Sequence, residues 1–261
     1  MRKKYFVPVI AGLLGLSFLT GCASANYNRD LVMGIVWQQQ SGEYPALCYQ
    51  AFNSGKEFVK TLSASGRAAA VLDIDETVLD NSKYAAWMVV SGKPWSAEAW
   101  EQWCNAASAP AVPGALDFAN FLSARGIAVY YVSNRPASTT DSTINNLRDL
   151  GFPNADKDHV LLQEDTSDKA PRLGAIRSQG YEIVLLAGDS LEDFESFTRR
   201  WPDTERRTWV DSQIEKFGVY WLVLPNSVYG TFESAIRDGY YGLSDKEKAQ
   251  ARLDAIEAWE P

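Results

Sequence analysis

Residues 68–81 read AAAVLDIDETVLDN, Ala68 to Asn81. The first half is a short run of small and branched apolar side chains, and the second half places Asp73, Asp75 and Glu76 within four positions, with Asp80 following. An apolar run of strand length with no alternation is what a strand buried on both faces requires, and such strands belong to parallel sheets covered by helices. Further runs of the same kind are IAVYYVS (Ile127 to Ser133), HVLL (His159 to Leu162), EIVLLAG (Glu182 to Gly188) and VYWLVLP (Val219 to Pro225). Helical patterns lie between them, over Ala115 to Ala124, Thr140 to Leu150, Lys169 to Gln179 and Leu191 to Thr198. The alternation predicts an α/β fold, a doubly wound parallel sheet.

Two more helices precede the first strand, Arg29 to Gln40 and Tyr44 to Leu62, the second with Leu47, Ala51, Phe58 and Leu62 near one face and Pro45 at its start. The segment Ser82 to Pro110 breaks the alternation and holds Trp87, Trp95, Trp100 and Trp103. It reads as a small, mostly helical, aromatic-rich cap on the carboxyl edge of the sheet. The tail Ser244 to Trp259 reads as a helix opened by a capping box, Ser244 with Glu247.

Three strands end in polar chemistry: DIDET (Asp73 to Thr77), SNR (Ser133 to Arg135) and GDSLEDF (Gly188 to Phe194). In a parallel sheet these ends share one edge, where ligands bind. Carboxylates crowded there at low dielectric repel one another and tend to take up protons. A hard divalent cation with oxygen ligands removes that penalty, and Mg²⁺ is the usual one in phosphate sites. The acidic cluster therefore predicts a metal.

The amino terminus carries Arg2, Lys3 and Lys4, then an apolar run from Tyr5 to Leu19 and LTGC, Leu19 to Cys22. This is the pattern of an export signal, too short for a membrane span. LTGC resembles the bacterial lipobox, which implies a signal peptide over residues 1–21, lipidation at Cys22 and a tether over 22–28 before a single domain at 29–261. Ala23 at the next position implies sorting to an outer membrane by resemblance to the known sorting pattern. Loss of residues 1–21 removes three of the 25 Lys and Arg and none of the 33 Asp and Glu, leaving a formal charge of −11. Such an acidic chain lacks the basic footprint that nucleic-acid polymers need. With Cys22 lipidated, Cys48 and Cys104 remain, and spacing does not decide whether they pair.

DIDET, SNR, Lys169 and GDSLED match, in order, the four motifs of the haloacid dehalogenase (HAD) superfamily of phosphohydrolases, and DIDETVLDNSKYAAW with GDSLEDF and LPNSVYG behind a lipobox resembles the class C acid phosphatases. The resemblance covers nearly the whole mature chain. It implies an acid phosphatase, a bacterial lipoprotein, in which Asp73 is the nucleophile that becomes an aspartyl phosphate and Asp75 the acid and then the base. It further implies Mg²⁺ held by the Asp73 side chain, the Asp75 backbone carbonyl and Asp189, with Asp193 behind them. Ser133, Asn134 and Lys169 would bind the phosphoryl oxygens. Arg135 is left as a partner of the local acids, and Glu76 and Asp80 as flanking groups.

By the same resemblance, Trp100 and Tyr229 form an aromatic clamp for the leaving group. Stacking holds a flat ring without reading its identity, which implies 5′- or 3′-nucleotides, nicotinamide mononucleotide and aryl phosphates as substrates, and the family precedent implies a homodimer. His159 is the single histidine, which excludes a multi-histidine zinc site, and no GxSxG is present. Two alternatives stand beside this reading: a phosphomutase or narrow-specificity phosphatase of the same superfamily, and a surface lipoprotein that binds planar ligands without turnover.

Overall fold

The computed structural model describes residues 30–63 and 66–260; the signal segment, Cys22, the tether and Arg29 lie outside the described residues. Five parallel strands, β1 (Arg67–Leu72), β2 (Ala128–Pro136), β3 (Val160–Gln163), β4 (Tyr181–Gly188) and β5 (Trp221–Val223), form one sheet in the order β3-β2-β1-β4-β5. β1 is central, with Leu72 level with Tyr131 on one side and Ala187 on the other. The order reverses at β1, so the carboxyl ends of β1, β2 and β4 meet in one crevice.

Successive side chains of β1 go to opposite layers. Ala70 and Leu72 join the core under α2 (Glu43–Thr61) and α5 (Ala115–Ala124), together with Phe52, Val59 and Phe118. Ala69 and Val71 join the opposite core, with Leu173 and Ile176 of α7 (Ala170–Ser178) and with Phe194 and Trp221. The period of two is what a pleated strand dictates, and burial on both faces explains why β1 shows no polar alternation.

Of the face expected for α2, Ala51, Phe58 and Leu62 pack against the core, but the centre of the contact lies elsewhere. Cys48, Phe52, Gly55 and Val59 are buried, whereas Leu47 is exposed. Gly55 is the reason: a Cβ there would meet Leu222 at 2.5 Å and Phe118 at 3.0 Å, so the helix packs closest along the line through the glycine. Cys48 and Cys104 are separate buried thiols.

Two short 3-10 turns, Leu191–Asp193 and Ser196–Arg200, replace the helix expected at Leu191 to Thr198. The turn at Ser190 is capped by Asp193, whose carboxylate folds back onto the Ser190 N–H at 3.0 Å, and Phe194 then swings into the core. The chain instead forms α8 (Asp203–Ser212), which follows Pro202 and carries Asp203 and Glu205 in its first turn, a start signal legible in the sequence. β5 is shorter than expected because Val219 and Tyr220 belong to the turn whose N–H groups bond Lys216.

The aromatic segment forms α3 (Ser82–Ser91) and α4 (Ala97–Asn105), which follow α1 (Val32–Gln40) in packing over the carboxyl edge. Tyr84, Met88, Ile35 and Val228 make a small core there, with Trp100 and Trp103 against it, while Trp87 and Trp95 are exposed. The tail is helical over Asp245–Asp254 with the predicted Ser244 and Glu247 capping box. No helix among the described residues is long and apolar enough to cross a membrane.

Candidate active site

Past Leu72 the Asp73 N–H still bonds the Ala187 carbonyl, at 2.9 Å, extending the ladder by one residue. The chain then folds back on itself: the Ile74 carbonyl accepts from Val78 and Leu79, and Glu76 takes a positive φ of 55°. This tight turn presents Asp73, Asp75 and Glu76 in different directions from a five-residue stretch.

Asp73 faces the end of β4. One carboxylate oxygen each from Asp73, Asp189 and Asp193 lie within 4.8 Å of one another. Lys169, 5 % exposed, sits against them, donating to Asp73 and, at 2.6 Å, to Asp193. Burial alone would strip the proton from this lysine, but the carboxylates of Asp193 and Asp73 outweigh it and hold the ammonium charged. Lys169 is thus a buried partner of the site carboxylates and not a surface cation. Gly188 matters here because a side chain would collide with the Asp193 carboxylate. Asn226, at the end of β5, donates its amide to Asp189 at 2.7 Å. It was not singled out in the sequence, where its one signal is its place at a fourth strand end.

Asp75 points the other way. Its carboxylate accepts from Ser133 Oγ at 3.0 Å, Arg135 Nε at 2.8 Å and Asn81 Nδ2 at 2.9 Å. Arg135 is 1 % exposed, and its guanidinium lies 5.8 Å from the Trp100 ring centroid. It pairs with a local acid, as the sequence reading has it, and also joins Asp75 to the aromatic cap, which that reading does not assign. Asn134 is exposed and accepts from Arg172, which also donates to the Ser133 carbonyl at 2.6 Å and so steadies the whole SNR loop.

Glu76 is also buried, at 1 % exposure, and accepts from the Asn81 N–H at 2.7 Å and from the Tyr229 hydroxyl. The Tyr229 ring is more than a third exposed although its hydroxyl is turned inward. Trp100 packs edge-on against Tyr84 at 5.1 Å. Both residues expected to form the clamp are therefore moored at the site, Trp100 against the Arg135 guanidinium and Tyr229 on Glu76.

Residues 23–232 match the family described as HAD superfamily, subfamily IIIB (acid phosphatase). The chain belongs to this family. A class C acid phosphatase from Bacillus anthracis superposes with a TM-score of 0.85 at 36 % identity, over 90 % of this chain and 100 % of that one. A second structure of that enzyme, with tungstate bound, superposes with the same TM-score at 35 % identity and the same coverage. Among curated relatives, acid phosphatase 1 of Solanum lycopersicum is 26 % identical over 52 % of this chain and 56 % of its own. The stem 28 kDa glycoprotein of Glycine max is 25 % identical over the same shares. The chain thus spans about half the length of the curated relatives it matches.

For this acid phosphatase fold the carboxyl cluster fits a hard divalent cation by its donor chemistry. The donors are all carboxylate oxygens. Burial pushes Asp73 up to about 7, helped by Asp193 and Asp75 and opposed by Lys169. Burial, with the carboxylates of Asp193 and Asp73 adding to it, raises Asp189 as well. Lys169 alone is one positive charge among three acids, and a cation would complete the balance.

These shifts carry a pH dependence. Burial, with Asp75 adding to it, also raises Glu76 to about 8. A carboxyl raised in the folded state binds its proton more tightly there than in the unfolded chain. The resulting stability is full below the ordinary value of about 4 and is lost as pH rises through about 7 for Asp73 and about 8 for Glu76. In EDTA the melting temperature should therefore fall steadily between about pH 5 and about pH 8.5. A divalent cation should flatten the part that belongs to Asp73; a flat profile in EDTA would contradict the buried, partly protonated cluster.

Proposed function

We propose that the protein is a lipid-anchored, Mg²⁺-dependent acid phosphatase that hydrolyses phosphomonoesters through an aspartyl phosphate. The observation that carries this reading is the division of the two carboxylates two residues apart: Asp73 against Lys169 and the acidic cluster, Asp75 against Ser133, Arg135 and Asn81. Pairs of acids in unlike surroundings take unlike tasks. Asp73 attacks phosphorus in line while the bond to the leaving oxygen breaks, and Asp75 gives that oxygen its proton. Asp75 then takes a proton from a water, which attacks the acyl phosphate at phosphorus, releasing phosphate and restoring the Asp73 carboxylate. Lys169 holds positive charge beside the equatorial oxygens, and Ser133 and Asn134 stand at the adjacent strand end to bond them. Mg²⁺, held by Asp73, Asp189 and the Asp75 carbonyl with Asp193 behind, would offset the phosphate's negative charge as Asp73 approaches. The tungstate-bound relative supports the reading, since tungstate shares phosphate's tetrahedral oxyanion shape.

Trp100 and Tyr229 would stack a planar leaving group, which favours nucleoside 5′- and 3′-monophosphates, nicotinamide mononucleotide and aryl phosphates. The lipobox-like LTGC supports an acyl anchor at Cys22 and an outer-membrane location, and family precedent a homodimer. The test is phosphate release from p-nitrophenyl phosphate and from adenosine 5′-monophosphate at mildly acidic pH. Turnover should disappear in EDTA and return with Mg²⁺. Activity that survives EDTA would sink the cation dependence; tight nucleotide binding without turnover would favour the ligand-binding lipoprotein.

A further inference from the structure

Asn81 stands where a helix N-cap belongs, immediately before α3, yet its side chain makes no capping bond. The neighbouring Asp80 accepts from the Ser82 N–H instead, at 2.7 Å. Asparagine at such a position ordinarily caps with its own side chain, so the diversion needs another cause.

The Asn81 amide is 2 % exposed and fully committed inside the site. Its Nδ2 donates to Asp75 at 2.9 Å and to Glu76 at 3.1 Å. Its Oδ1 accepts from the indole N–H of Trp103 at 2.7 Å and from Arg135 at 3.2 Å. Two donors and two lone pairs are the whole capacity of the group. Its orientation is unambiguous, because an indole and a guanidinium can only donate and the facing groups are carboxyls. Among the described residues, Asn81 is thus the one bonded at once to the side chains of Asp75, Glu76, Arg135 and Trp103.

We propose that Asn81 is a positioning residue that fixes the Asp75 carboxyl for proton transfer to the leaving group and couples it, through Trp103, to the aromatic cap. The inference rests on the proton-transfer role proposed for Asp75. Arg135 and Ser133 also hold Asp75, and Arg135 faces the Trp100 ring, but Asn81 alone among these three partners is hydrogen-bonded to an indole of α4, part of the cap. A cap settled on a substrate thereby bears on the acid through two hydrogen bonds rather than through loose packing.

The experiment measures kcat/KM for p-nitrophenyl phosphate and for β-glycerol phosphate in the wild type, Asp75→Asn, Asn81→Ala, Asn81→Asp and Trp103→Phe. This ratio covers the steps up to departure of the leaving group, where an alkoxide needs a proton and a nitrophenolate hardly does. Asp75→Asn should therefore lose far more on the alkyl ester. Asn81→Ala and Asn81→Asp should follow the same pattern, with an alkyl loss exceeding the aryl loss by about tenfold. Asn81→Asp retains size and the acceptor atom but, ionised, cannot donate to Asp75 and repels it, which separates the amide's bond from its packing. Trp103→Phe removes the indole donor while keeping an aromatic ring, and should show a few-fold bias in the same direction, a readout that stands even if the Asn81 variants do not fold. Equal losses on both esters in the Asn81 and Trp103 variants, with Asp75→Asn still biased, overturn the positioning role alone. Equal losses in Asp75→Asn as well overturn the role of Asp75 and this inference with it.

Discussion

Asp73→Asn should reduce kcat/KM for every phosphomonoester by about 10⁴-fold or more, because it removes the carboxylate proposed to attack phosphorus. The substitution preserves shape and removes one negative charge from a cluster that holds Asp189 and Asp193 as well. Lys169 retains its bond to Asp193 at 2.6 Å. The variant should accordingly fold and melt within a few degrees of the wild type, so that the lost turnover reports chemistry. It should still bind product phosphate or tungstate, measurable by calorimetry in Mg²⁺. Activity within a hundredfold of wild type would remove Asp73 as nucleophile.

Lys169→Met should be damaging in two separable ways. Removing one partner of a buried ion pair leaves carboxylates uncompensated, which costs about 3–5 kcal/mol in other proteins. That loss should appear in urea denaturation in EDTA and shrink when Mg²⁺ is added, because the cation takes over part of the charge balance. Loss of a preorganised positive group beside the phosphoryl oxygens should reduce kcat by about 10²- to 10³-fold even in Mg²⁺. Equal stability losses with and without the cation would show that Lys169 and the cation do not share the same carboxylates.

The parallel sheet was legible because its signal is local and repeated. A strand covered on both faces has to be apolar throughout, and AAAVL, AVYYV and IVLLA satisfy that without reference to anything distant. The boundary of the 191–200 region was not legible, because Asp193 serves at once as a cap for Ser190 and as a partner of Lys169, 24 residues away. The centre of the α2 contact was hidden for a similar reason: hydropathy favoured Leu47, whereas the absent side chain of Gly55 decided which side could approach Phe118 and Leu222.

The candidate site divides along the same line. Asp73, Asp75, Ser133, Lys169, Asp189 and Asp193 could be named from strand ends and motif order. Arg135 and Glu76 could be named only as a partner of the local acids and a flanking group, and Asn81 and Asn226 not at all, since each owes its place in the site to partners from other elements. The sequence by itself determined that acidic groups would gather at the carboxyl edge of a buried parallel sheet, because strand direction and hydropathy leave them nowhere else to go. Only the tertiary structure decided which carboxylate meets the lysine and which meets the asparagine and arginine. Two residues of one strand end part company when the chain turns sharply between them, and the partners each then meets, Lys169 for Asp73 and Ser133 and Arg135 for Asp75, come from elements far along the chain.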